Sequence, residues 1–154
     1  MRFRFIWVGK TRNEHLRALV EDYAKRLARF VRHETTELRE SAGSHDTRAC
    51  LEEEGKRIMG ALASDTFAVL LDVEGRQWTS PELAAEVENW QGRGTKEIAF
   101  VVGGHLGVSE EVRRRADVRW SLSALTLTHE MARVVLVEQL YRAYTISRGL
   151  PYQK

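Results

Sequence analysis

The sequence predicts an α/β protein, a parallel sheet flanked by helices on both faces. Strand-like and helix-like segments alternate about five times along the 154 residues, the pattern of a parallel sheet with crossover helices. Two of the strand segments, FAVLLD (67–72) and EIAFVV (97–102), are continuous apolar runs, as expected for strands covered on both sides. No internal repeat, low-complexity tract or linker interrupts the order, so residues 1–154 read as one domain.

In order, Phe3, Phe5 and Trp7 alternate with Arg2, Arg4 and Ile6 at the period of a strand, which Gly9 ends. From about Thr11, the residues Leu16, Leu19, Val20, Tyr23, Leu27 and Phe30 recur at helical spacing and predict an amphipathic helix. HETTELRE is a polar segment that suits a strand at a sheet edge, and Gly43–His45 predicts a turn. Asp46 to Ala63 follows as a charged helix with Leu51, Ile58, Met59 and Leu62 inward. After FAVLLD, VEGR predicts a turn. Ser80 then predicts a helix cap with Pro81 at the first helical position, and Leu83, Ala84, Val87 and Trp90 form the buried stripe. EIAFVV runs into Gly103-Gly104-His105-Leu106-Gly107; Ser109 caps a short basic helix, and VRWSL is a last short strand. A helix from about Thr128 to Arg148 closes the order.

Composition excludes several function classes. Cys50 is the single cysteine, so an intrachain disulfide and a cysteine zinc cluster are impossible, and packing is its expected role. No His, Cys and Asp set has metal-ligand spacing, so no metal is expected. The longest apolar runs, FAVLL and VVLV, are too short to cross a membrane. The first residues lack a signal-peptide core, which makes the cytoplasm the expected location. A net charge of +2 tolerates an anionic partner such as RNA without demanding one.

Candidate ligand loops lie where an open α/β sheet places them, beyond the carboxyl ends of strands. They follow Leu71 and Asp72, comprise Gly103 to Gly107, and run from Ser121 to Thr128. GGHLG is not the GxGxxG dinucleotide pattern; a tight turn needing left-handed glycines and a ligand loop fit it equally. The loop SLSALTLT carries Leu122, Leu125 and Leu127 at alternate positions. It either anchors a connection to the core or packs its leucines inward while aiming backbone groups at an apolar, amide-rich ligand such as adenine. The last helix carries apolar residues on more than one face, including Met131, Val134, Val137, Leu140, Tyr141 and Tyr144. This predicts burial on several sides, with one side covered by a second subunit.

GGHLG after a buried strand, the run SLSALTLTHEMARVVLVEQLYRAYTI and the terminal Pro-Tyr pair together resemble one known family. It is the large-subunit ribosomal RNA methyltransferase H family of the SPOUT superfamily, which N3-methylates a pseudouridine of 23S ribosomal RNA in the assembled ribosome. VGK after the first strand, DYAKRLARF, and the segment Glu54-Gly55-Lys56-Arg57-Ile58 extend the resemblance over the whole chain. The resemblance implies an α/β fold with a C-terminal trefoil knot, a homodimer, and S-adenosyl-L-methionine as cofactor. Carried over by motif, its cofactor contacts are Leu71, Gly103, Leu122, Ser123, Ala124, Leu125, Thr126 and Leu127.

For the chemistry, Arg142 is the candidate to stabilise a developing imidate, because a guanidinium stays charged. An ion-paired helix arginine is an equal reading of that residue. Tyr152 is the candidate to stack on or hydrogen-bond the base, and Lys154 to touch phosphate. His129 and His105 read as packing or hydrogen-bonding residues. Two positions depart from the family pattern: Val108 stands for a common Leu, and Gln153 for a common His that can titrate. Two other classes fit the sequence, a non-catalytic ribosome-binding protein using Arg113, Arg114 and Arg115, and a nucleotide-binding enzyme acting on another substrate.

Overall fold

The computed structural model describes residues 1–42 and 46–152; the turn expected at 43–45 and the tail residues Gln153 and Lys154 lie outside them. Five strands, β1 (Arg2–Val8), β2 (Arg32–Leu38), β3 (Phe67–Arg76), β4 (Glu97–Val102) and β5 (Val118–Trp120), form one sheet in the order β2-β1-β4-β3-β5. Every pairing is parallel, as the sequence predicts. The helices are α1 (Glu14–Leu27), α2 (Thr47–Ala61), α3 (Ser80–Gly92), α4 (Glu110–Arg115) and α5 (His129–Ser147).

The alternation of β1 explains the two layers. Phe3, Phe5 and Trp7 join a core with Val20, Leu83, Val87, Trp90, Leu136 and Leu140, which belong to α1, α3 and α5. Ile6 and Val8 point the other way, into a smaller core with Ile58 and Val112 from α2 and α4. The polar segment β2 pairs only with β1 and is an edge strand.

Three local expectations need correction. VEGR is not a turn: β3 continues through it to Arg76, with a register shift against β5 between Leu71 and Arg76. Gly75 permits this, since a Cβ there would lie 2.5 Å from the Arg119 carbonyl carbon. The cap of α3 is Thr79 rather than Ser80. Its hydroxyl accepts from Glu82 N–H (3.3 Å), while Glu82 Oε2 accepts from Thr79 N–H (2.7 Å), a reciprocal pair that places Pro81 second. Leu19, expected in the buried stripe of α1, is 44% exposed; Val20 and Leu27 bury that face instead.

The last helix needs a larger correction. It packs between α1 and α3 over the sheet, and Val137, Leu140 and Ala143 are buried at 1% exposure or less within one chain. Its multi-faced apolar character is therefore satisfied by three neighbours in the same chain. That burial does not itself call for a second subunit.

Candidate active site

The middle of β3 (Leu71–Val73) and the loops after β4 and β5 converge beside the start of α5. One cleft of about 120 Å³ is lined by Leu71, Asp72, Val73, Trp120, Leu122, Ser123, Leu125, Thr126 and Leu127, with Ala132 behind. A larger cavity of about 790 Å³ shares Leu71, Asp72, Val73, Thr126 and Leu127, and extends to Gly103, His105 and Arg113 on one side and Asn13 and Leu16 on the other. The structure thus brings together Leu71, Gly103, Leu122, Ser123, Leu125, Thr126 and Leu127. Ala124 is exposed and lines neither space.

The loop after β5 is tied by its own hydroxyls. Ser121 Oγ donates to Ser123 O (2.9 Å), Ser123 Oγ accepts from Leu125 N–H (3.0 Å), and Thr128 caps α5 through Met131 N–H (3.2 Å). Its leucines do not all point inward, however. Leu122 packs on the core, whereas Leu125 is 75% exposed over the cleft. In the glycine loop, Gly107 has φ +91° and donates to Gly104 O (3.0 Å), which makes the turn reading correct at that residue. Gly103 is needed for a different reason: a Cβ would meet Val108 Cγ1 at 2.6 Å and Gly107 O at 2.7 Å.

Electrostatics at the cleft centre on Asp72, which the sequence marked only as a strand end. Its Oδ2 lies 2.9 Å from Arg119 Nε and 3.4 Å from Arg113 Nε, and its Oδ1 accepts from Glu74 N–H (3.0 Å). Burial pushes this carboxyl up, but those hydrogen bonds and the two guanidinium groups hold it below the usual carboxylate range. His129 is pushed below the ordinary imidazole range, by burial first and the charge of Arg133 second. A neutral packing role suits it.

Arg133 is the residue that sequence reasoning missed. It is completely buried; Nη2 donates to Val8 O (2.7 Å), Nη1 donates to Thr11 Oγ1 (2.9 Å), and the guanidinium covers the Trp7 ring at 5.1 Å. The available signal was a cation inside the apolar stripe of α5.

Arg142 and Tyr152 lie elsewhere. Arg142 follows His129 by thirteen residues on α5, about 20 Å at ~1.5 Å per residue, and neither candidate lines the cleft or the cavity. Arg142 Nη2 sits 2.6 Å from Glu138 Oε1, which also accepts from Tyr152 OH (2.9 Å). Tyr152 OH reaches Tyr23 OH at 3.2 Å, its ring meets Tyr141 edge-on at 4.7 Å, and the Arg142 guanidinium lies 4.8 Å from its centroid. Within one chain the two candidates meet each other and not the cleft or the cavity. The ion-paired reading of Arg142 does hold.

The cleft and the cavity at one end of a parallel sheet place the chain in the class of open α/β folds, which bind ligands beyond the carboxyl ends of their strands. The comparisons narrow the class. Residues 1–153 match the family described as "Predicted SPOUT methyltransferase", and the chain belongs to that family. The chain is 38% identical to the ribosomal RNA large subunit methyltransferase H of Desulfitobacterium hafniense (strain Y51), over 100% of this chain and 99% of the relative. It is 41% identical to the protein of that name from Geotalea daltonii, over 99% of each chain. With the putative ribosomal RNA large subunit methyltransferase H of Methanoregula boonei the identity is 43% over the full length of both. The solved structure of a probable methylase family protein from Haemophilus influenzae Rd KW20 shares the fold, with a TM-score of 0.57 at 14% identity, covering 99% of this chain and 70% of that one. No helix among the described residues is long and apolar enough to cross a membrane, and no cluster of three potential metal ligands occurs among them.

Proposed function

We propose that this single-domain protein is an S-adenosyl-L-methionine-dependent methyltransferase that modifies N3 of a pseudouridine in 23S ribosomal RNA of the assembled ribosome. The observation that carries the reading is the convergence of the β3 segment Leu71–Val73 and the loops after β4 and β5 on one cavity, in a chain that matches methyltransferase H relatives over its whole length.

The residues present fit the cofactor. Leu71, Leu122, Leu127 and Trp120 offer apolar surface for an adenine, and Leu125 stands exposed where a ligand would cover it. When bound, the cofactor supplies the electrophilic methyl group, and the protein contributes position and electrostatics. Leu71, Gly103 and the segment 122–127 hold and orient it, wound as the C-terminal knot that the resemblance implies.

N3 of pseudouridine is a weakly acidic imide that becomes a nucleophile by losing its proton to solvent, which leaves negative charge on the base until the N3–methyl bond forms and the sulfonium bond breaks. Arg142 stabilises that charge, and Tyr152 positions the base edge. Arg142 stands about 20 Å of helix away from the start of α5 in its own chain, and Tyr152 packs against Arg142. A homodimer resolves this: one subunit supplies the cofactor loops, and its partner supplies Arg142 and Tyr152. The separation of the two residue sets supports the dimer, in place of the burial of α5. Incubation of the protein with labelled S-adenosyl-L-methionine and ribosomes lacking the modification tests the reading. Label at N3 of a pseudouridine in 23S RNA is expected; unlabelled RNA would contradict it.

A further inference from the structure

The turn between β1 and α1 is held more firmly than a surface loop requires. Gly9 has φ +82° and donates to Leu38 O at 2.7 Å. Arg133 grips the turn from below through Val8 O and Thr11 Oγ1. Glu130 grips it from the side, accepting from Asn13 N–H at 3.0 Å. Asn13 in turn caps α1, accepting from His15 N–H (3.0 Å) and Leu16 N–H (3.2 Å).

A completely buried arginine with no carboxylate in ion-pair distance among the described residues is costly to bury. Arg133 nevertheless spends two of its donors on this one turn. What the turn presents is cationic. Lys10 is exposed and enters no ion pair among the described residues, and the Arg12 side chain is 77% exposed with Glu40 Oε2 at 3.1 Å. Both line a hollow of about 490 Å³ with Arg39, Glu37 and Glu40, three cations against two carboxylates. Asn13 and Leu16, at the end of the same turn, line the large cavity of the candidate active site.

We propose that this turn is a phosphate-binding arm: Lys10 and Arg12 hold the RNA backbone beside the nucleotide that enters the cavity, and Glu130 and Arg133 fix the arm to the first turn of α5. The proposal rests on the RNA methyltransferase reading. A backbone contact suits these residues because they form point charges at the rim rather than a pocket shaped for a base. Fixing the arm to the helix that begins at the cofactor loop also fixes the distance between the held phosphate and the transferred methyl group.

The test compares wild type with Lys10→Ala, Arg12→Ala and the control Arg93→Ala, an exposed arginine in the connection that precedes β4, whereas the arm follows the carboxyl end of β1. Ribosome binding by co-sedimentation and methylation rates are both measured across a salt series. Each arm variant should raise KM by on the order of tenfold with kcat nearly unchanged, and flatten the slope of log affinity against log salt by about 0.7. S-adenosyl-L-methionine binding and the Arg93→Ala protein should match wild type. A wild type that methylates, alongside arm variants with unchanged KM and salt slope, overturns the arm and leaves the methyltransferase reading standing. A wild type that neither binds nor methylates ribosomes overturns both.

Discussion

The two ends of α5 make opposite kinds of site from one helix. At its start, Thr128, His129 and Glu130 border an open cavity whose walls are the middle of β3, the glycine loop and half-buried leucines. Thirteen residues further on, Arg142, Glu138, Tyr152 and Tyr23 close on each other, leaving no comparable space among them. The first end has room for a ligand, and the charges that line it, Asp72 with Arg113 and Glu130 with Asn13 N–H, are paired within the wall. The second has the charge, already satisfied internally by Glu138. On the proposed function a methyl transfer needs both ends, and thirteen residues of helix hold them apart in one chain. The proposed homodimer is what would reunite them.

The largest effect that tests this contrast falls on the helix itself. Val137 is completely buried between the two ends, so Val137→Glu places an unpaired charge in the core and should cost several kcal/mol. Insoluble or unfolded protein is expected; a soluble, folded monomer would show that the residue covers an interface instead.

At the open end, a hundredfold excess of S-adenosyl-L-methionine over Kd should stabilise the wild type by about 2.7 kcal/mol, seen as a rise in melting temperature. Gly103→Val should eliminate that rise, because its side chain collides with Val108 and Gly107 and forces the loop open. A full shift in a folded Gly103→Val protein would remove this loop from the site.

At the closed end, Arg142→Ala should leave the cofactor-induced shift intact while ribosome methylation falls by on the order of a hundredfold. Loss of cofactor binding in that variant would make Arg142 a structural residue.

The smallest expected effect concerns His129. Its folded pKa lies below its ordinary value of 6.5, so the unfolded chain binds a proton first as pH falls. Its contribution is present above pH 6.5 and is lost as pH drops through that value toward the depressed folded pKa. Melting temperature in that window should fall less steeply for His129→Gln than for wild type; parallel curves would remove His129 as the cause.

Most of the scaffold was legible because its signals are local. FAVLLD and EIAFVV could only be covered strands, and Leu83, Ala84, Val87 and Trp90 all face the core of α3 as their spacing requires. VEGR misled because Gly75 answers a close approach of β5, a long-range contact that mimics turn composition. The candidate cofactor residues were read from motif resemblance, and all but Ala124 line the cleft or the cavity beside it. The roles of α1 and α3 in burying α5 were not legible, since an apolar face in sequence does not say which chain covers it. Arg133 was missed because its partners, Val8 O and Thr11, lie more than a hundred residues away.

The central claim, that the two ends of α5 meet only across subunits, is tested most directly with mixed dimers. Chains carrying Gly103→Val are co-refolded with chains carrying Arg142→Ala, and ribosome methylation is compared with that of each parent. A shared site regenerates one intact centre per mixed dimer, pairing the loops of one chain with Arg142 of the other. Activity should recover to roughly half the wild-type rate per mixed dimer, far above the sum of the two parents, the recovery expected when a positioned electrostatic partner is restored. Mixed dimers no more active than their parents would place both residue sets in a single chain and contradict the account.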